Sequence, residues 1–145
     1  DNEASIERTE KTAAYLEKEL GVPVRIIEGS DYATVIEAMK TGKVDFANTG
    51  AFSYCIAAAK AGAESLVTAA YAKTGALNYS GSKIFTSSKS AITSMEQVIA
   101  NPRQFTFAFA DPTSTSGYLY PLAYLRAQVI EPSEDMKPKK PNNKL

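Results

Sequence analysis

One stretch of the sequence joins three features that strongly constrain the fold. Residues 105–110 form an apolar, strand-like segment, residues 111–117 read Asp-Pro-Thr-Ser-Thr-Ser-Gly, and residues 118–126 can form a helix. We call residues 111–117 the Ser-Thr-Ser turn. The first N–H groups of a helix lack backbone partners and carry partial positive charge, and nearby hydroxyls add further donors. This pattern therefore predicts a strand–turn–helix unit that holds a phosphate-like or carboxylate ligand through neutral donors, with Gly117 allowing close approach.

Helical and strand-like segments alternate along the whole chain. Helices are predicted at residues 6–20, 32–39, 51–61 and 93–100. Strands are predicted at residues 22–27, 44–47, 65–71, 79–87 and 106–110. This alternation indicates an α/β fold with a mainly parallel sheet, in which ligands bind beyond the carboxyl ends of the strands. We expect two further polar loops, residues 30–32 and 48–50, to converge there with the Ser-Thr-Ser turn.

Several local signals mark where the predicted helices begin and end. Gly21 and Gly42 fit helix C-termini, and either Ser30 or Asp31 can cap the second helix. Residues 93–96 read Thr-Ser-Met-Glu, which is a capping box, and Pro102 closes the helix that follows. Residues 131–145 are rich in proline and lysine and are predicted to be a loop or mobile tail.

Composition excludes several classes of function. The 145 residues contain no histidine, so catalysis by Ser-His-Asp or Cys-His and zinc sites with histidine ligands are excluded. The single cysteine, Cys55, sits among apolar neighbours and is expected to be buried. The 16 basic and 16 acidic residues balance, which gives no support for a nucleic-acid partner. No cofactor, metal cage or paired acid/base site is expected.

With these motifs placed, the chain resembles the phosphonate- and phosphate-binding substrate-binding proteins of bacterial ABC importers. The strongest matching segment is residues 110–118, ADPTSTSGY, with Pro121 just beyond. Three further segments match in the same order: residues 31–39 (DYATVIEAM), 42–54 (GKVDFANTGAFSY) and 78–80 (NYS). Each segment alone is a weak signal, but four in this order and spacing are specific.

The resemblance implies a type II periplasmic-binding-protein fold, an extracytoplasmic location and an ABC permease as the membrane partner. It implies that Ser114, Thr115 and Ser116 bind the anion and that Tyr32 and Tyr79 donate their phenolic hydroxyls to it. Candidate lining residues are Asn48, Ser80 and Gly117. Simpler interpretations stay open: Ser114–Ser116 can cap a helix, the two tyrosines can be packing residues, and Asp111 is expected to fix the turn, because a carboxylate would repel an anion.

The resemblance also implies a division into lobes. Residues 1–88 would form a first lobe without its usual first strand, residues 89–130 would begin an incomplete second lobe, and residues 131–145 would be a tail. Family members are considerably longer, so we expect a fragment. The ligand would be phosphonate, phosphite or phosphate. The alternative function is a ligand-sensing domain of the same fold in a receptor or sensor kinase; an enzyme is not expected, since the sequence shows no nucleophile–base pair.

Overall fold

The computed structural model describes residues 2–71, 73–77 and 81–135. The chain divides into two units, Asp1–Ser30 and Asp31–Leu145. The first unit is built on helix α1, Asn2–Leu20, which begins four residues earlier than the sequence predicts. Gly21 ends α1 as predicted: its φ is +68° and its N–H donates to the Glu17 carbonyl at 2.9 Å. A residue without a Cβ adopts this left-handed conformation without steric cost.

The second unit begins with two helices that pack against each other. Helix α2 covers Tyr32–Lys40 and α3 covers Ala51–Ala61, and the predicted range of α3 is confirmed at both ends. Asp31, rather than Ser30, caps α2, because its carboxylate accepts the Thr34 N–H at 2.7 Å. Ile36 of α2 and Ala57 of α3 are buried.

The core of the second unit lies farther along the chain. Its helices are α4 (Met95–Ala100), α5 (Tyr120–Ala127) and α6 (Pro132–Asp135). Val98, Leu125 and Ile130 are buried together. Partly buried apolar side chains surround these three: Ile92, Met95, Ile99, Phe105, Phe107 and Phe109. The Phe109 ring also contacts the Tyr118 ring edge-on, with centroids 5.1 Å apart, so the core extends to the Ser-Thr-Ser turn.

Two predictions about helix ends need correction. The predicted capping box fails in detail: Ser94 is the N-cap of α4, and the Thr93 N–H donates to Gln97 rather than Glu96. Glu96 instead pairs with Ser94, and this hydrogen bond lowers the pKa of Glu96. The predicted tail contains the single helical turn α6, which begins at Pro132, a residue suited to a first helical position. Residues 136–145 lie outside the described residues.

The predicted strands are not paired into a sheet in the part of the chain that the structure describes. Ala70 and Leu77 form an isolated antiparallel bridge, and Thr106 is a single bridge position. Residues 22–27, 44–47, 65–71 and 106–110, and the described part of 79–87, are otherwise irregular. A strand requires hydrogen bonds to a neighbouring strand, and apolar sequence alone does not supply that neighbour. The parallel sheet therefore stays a prediction.

Among the described helices, none has the length and apolar character that crossing a bilayer requires.

Candidate functional site

The Ser-Thr-Ser turn is fixed first by its own polar groups. Asp111 Oδ1 accepts both the N–H of Thr113, at 2.7 Å, and the Thr113 hydroxyl. The Asp111 carbonyl accepts the Ser114 N–H at 2.9 Å. The structural role predicted for Asp111 is therefore confirmed, since its carboxylate is engaged within the turn.

The turn leads into a π-helical turn, Thr115–Leu119, which continues as α5. Ser114 is its N-cap: the Ser114 hydroxyl oxygen accepts the Gly117 N–H at 3.1 Å. The first helical bond joins the Ser114 carbonyl to the Leu119 N–H at 3.0 Å, a spacing of five residues. π-helical turns are rare and occur frequently at functional sites. The capping interpretation of Ser114 is thus correct, and a capping hydroxyl oxygen still leaves its hydrogen available for a ligand.

Two hydrogen bonds join the Ser-Thr-Ser turn to the N-terminus of α3. Thr115 Oγ1 accepts the Phe52 N–H at 2.8 Å, and the Ser53 hydroxyl donates to the Thr113 carbonyl at 2.8 Å. These bonds bridge 63 and 60 residues of sequence. A Cβ added at Gly50 would lie 3.2 Å from Thr115 Oγ1, so the loop before α3 also approaches the turn closely. The predicted convergence of residues 48–50 with the turn is confirmed at Gly50.

The segment that contains Ser82 is also hydrogen-bonded to the Ser-Thr-Ser turn. The Ser82 hydroxyl donates to the Ser116 carbonyl at 2.7 Å. Residues Ser53 and Ser82 were not identified as site residues from the sequence. Neither serine had a specific signal in the sequence, since their partners, Thr113 and Ser116, lie 60 and 34 residues away.

The other predicted site residues occupy varied positions. Tyr32 is the first residue of α2 and is half-buried, and Asn48 is exposed in the loop before α3. Neither forms a hydrogen bond to the Ser-Thr-Ser turn within the described residues. Tyr79 and Ser80 lie outside the described residues. The roles of all eight predicted binding and lining residues stay predictions.

Gly117 is required for packing. A Cβ at this position would lie 2.5 Å from the Ala110 Cβ and 3.1 Å from Ser114 Oγ. The Gly117 carbonyl also accepts the Ala110 N–H at 3.0 Å, which holds the two ends of the turn together. The glycine therefore allows the turn to close on the segment before it, whether or not an anion approaches.

The prediction that Cys55 is buried was wrong. Cys55 is exposed on α3, whereas Ser53 is fully buried. Residues 53 and 57 lie on the same helical face, and residue 55 is about 200° from each, on the opposite side. The apolar neighbours of Cys55 in the sequence therefore do not indicate that it is buried, because burial in a helix follows the helical period and not the local composition.

The chemistry available at the turn is that of neutral hydrogen-bond donors. Residues 110–118 contain no lysine or arginine. Within the described residues, no group of three or more Asp, Glu, Cys or His side chains is arranged to hold a metal ion. The donors are hydroxyls and the backbone N–H groups at the start of a helix, a set that suits the oxygens of a tetrahedral anion.

The sequence of this chain is similar to those of known proteins. The family model described as "ABC transporter, phosphonate, periplasmic substrate-binding protein" matches residues 1–144. The chain is 36% identical over 112 residues to the phosphate-import protein PhnD of Mycolicibacterium smegmatis, covering 76% of this chain and 33% of that protein. It is 33% identical over 122 residues to the phosphonates-binding periplasmic protein of Escherichia coli, covering 84% of this chain and 36% of that protein.

The chain belongs to the family of phosphonate periplasmic substrate-binding proteins of ABC transporters. The resemblance predicted from the four sequence segments is confirmed, and so is the extracytoplasmic location. The matched regions span about a third of the length of these curated relatives.

Proposed function

We propose that this chain is the solute-binding component of an ABC importer and that the Ser-Thr-Ser turn binds a phosphonate or a related phosphorus oxyanion, phosphite or phosphate. Two supports are independent. The relatives are named for phosphate import and phosphonate binding. The turn itself presents neutral donors at the start of a helix, where an anion is favoured.

The observation that carries the proposal is the pair of backbone N–H groups of Thr115 and Ser116. Neither forms a hydrogen bond to any described residue, although the carbonyls of the same two peptide units are bonded to Leu119 and Tyr120. Unpaired N–H groups in a half-buried turn are costly unless water or a ligand satisfies them. The Ser116 hydroxyl also forms no hydrogen bond within the described residues, so three donors are available side by side.

We further propose Tyr32, Tyr79, Ser114, Thr115 and Ser116 as the ligand-binding residues, with Asn48, Ser80 and Gly117 lining the site. The fold would have two lobes with mainly parallel sheets, with residues 1–88 in the first lobe and residues 89–130 in the second. Ligand would be captured between them and handed to a membrane permease. The function is capture and not chemical conversion, and transport is favoured over a sensor domain because the relatives are named for import and periplasmic binding.

The Ser116 hydroxyl allows the most direct test of the proposed site. Ser116→Ala should weaken binding of methylphosphonate or phosphate about tenfold or more, because a hydrogen bond to a charged group contributes about 1.5–3 kcal/mol. The melting temperature should stay unchanged, since the hydroxyl has no partner among the described residues. Calorimetry on the full-length protein measures the affinity, with the exposed Ser88→Ala as the matched control. Equal affinities of Ser116→Ala and wild type would show that the Ser116 hydroxyl does not bind the anion.

A further inference from the structure

The peptide units of the Ser-Thr-Ser turn differ in how they are held. The peptide joining Thr113 to Ser114 is bonded at both ends: its carbonyl accepts the Ser53 hydroxyl, and its N–H donates to the Asp111 carbonyl. The peptide joining Ser116 to Gly117 is also bonded at both ends: its carbonyl accepts the Ser82 hydroxyl, and its N–H donates to Ser114 Oγ.

The two peptides between them are held at one end only. The Ser114 carbonyl accepts the Leu119 N–H and the Thr115 carbonyl accepts the Tyr120 N–H. The N–H groups of these same peptides, on Thr115 and Ser116, have no partner within the described residues. The turn thus fixes every one of these carbonyl oxygens, which would repel an anion, and leaves two adjacent N–H donors unused.

We propose that Ser82 is a positioning residue of the anion site, which acts by holding the Ser116 carbonyl so that the adjacent N–H groups keep one orientation. Ser53 has the equivalent role at the Thr113 carbonyl. This inference rests on the proposed function of the turn. In this role Ser82 does not contact the ligand. Its hydrogen bond fixes a peptide that ligand binding would otherwise have to order, and a site that is ordered before binding has a higher affinity.

Ser82 allows the sharper test, because it is half-buried whereas Ser53 is fully buried and its substitution would disturb packing. Ser82→Ala removes the donor to the Ser116 carbonyl. We expect its affinity for methylphosphonate to fall roughly three- to tenfold, which is the effect of losing one neutral hydrogen bond. Ser82→Thr keeps the hydroxyl and should recover the wild-type affinity within about twofold.

The experiment is calorimetric titration of the full-length wild type, Ser82→Ala, Ser82→Thr and the control Ser88→Ala with methylphosphonate and inorganic phosphate. Loss in Ser82→Ala with recovery in Ser82→Thr supports the positioning role. Equal affinity of Ser82→Ala and wild type overturns it, and so does a loss that Ser82→Thr does not recover. If Ser82→Ala does not fold, Ser82→Cys, which keeps a weak donor, should show intermediate affinity; wild-type affinity in Ser82→Cys overturns the role.

The design separates this inference from the function on which it rests. If the wild type binds none of a panel of phosphonates, phosphite and phosphate, the proposed function fails. If the wild type binds but the affinities of the Ser82 variants do not follow the presence of a hydroxyl, only the positioning role fails.

Discussion

At the scale of single residues, Gly117 has a structural reason that the sequence interpretation did not include. The sequence interpretation assigned its missing Cβ to ligand approach, whereas the structure places Ala110 and Ser114 where that Cβ would be. A glycine at such a contact allows two backbone segments to approach more closely than any other residue permits.

Gly117→Ala should therefore destabilise the protein even without ligand. We expect a loss of about 1–3 kcal/mol in the free energy of unfolding, the usual effect of inserting a methyl group into filled space. Urea denaturation of the ligand-free protein measures it. Gly81→Ala is the matched control, because a Cβ there meets no atom of the described residues within 4 Å. If the two variants are equally stable, packing against Ala110 does not explain the glycine.

Ser53 and Cys55 show that local composition does not predict which side chains of a helix are buried. Both lie in one short apolar stretch of α3, yet the serine is buried and the cysteine exposed. The helical period could have separated them, but only the position of the partner, the Thr113 carbonyl, shows which face turns inward. A buried hydroxyl requires such a partner, and the sequence does not reveal it.

At the scale of elements, the end of α5 carries unusual backbone strain. The Ile130 N–H donates to the Leu125 carbonyl and the Val129 N–H to the Arg126 carbonyl, which is the Schellman arrangement. The left-handed position, normally glycine, is Val129, with φ +59° and a side chain 91% exposed. Buried Ile130 packs with Leu125 in the core, so tertiary contacts hold the strained residue in place.

Val129→Gly should stabilise the protein by up to about 1 kcal/mol. A left-handed conformation costs a β-branched residue about 1–2 kcal/mol, and glycine removes this cost. Part of the gain is offset because glycine loses more conformational entropy on folding. The exposed valine side chain contributes no buried area that the change would lose. Thermal unfolding measures the shift, and Val67→Gly, also highly exposed at 90%, is the control for losing a surface valine. A lower melting temperature for Val129→Gly than for Val67→Gly would contradict this explanation.

Helices were predicted from sequence far better than strands. The range of α3 and the end of α1 at Gly21 depend on interactions within about four residues, which a sequence pattern contains. The same holds for the cap of α2, which the sequence narrowed to Ser30 or Asp31. The predicted strands depend on partners elsewhere in the chain. Their apolar side chains, such as Leu66, Val67 and Phe85, are largely exposed in the structure. Strand-type composition therefore did not determine pairing.

At the scale of the whole molecule, ligand binding should appear as stability. A ligand that binds only the folded state at 100 times its dissociation constant raises the free energy of unfolding by about 2.7 kcal/mol. We expect phosphonates, phosphite and phosphate to raise the melting temperature of the full-length protein in the order of their affinities. Thermal shift measures this order.

Acetate at matched ionic strength is the control for the melting experiment, since it carries a carboxylate in place of a tetrahedral phosphorus group. Equal shifts with acetate and with every phosphorus oxyanion would mean that the site does not select phosphorus oxyanions. The ranking among the phosphorus oxyanions would identify the substrate class. The names of the two relatives do not agree on it, since one names phosphate and the other phosphonates.

The sequence by itself determined the family, both boundaries of α3, and the turn of hydroxyls that a tetrahedral anion would suit. These depend on residues that are close in sequence or on a specific order of segments. Only the tertiary structure decided how the turn is held: through Phe52, Ser53 and Ser82, across 63, 60 and 34 residues. Hydrogen bonds over such separations leave no periodic pattern in a sequence, because their geometry exists only after the chain has folded.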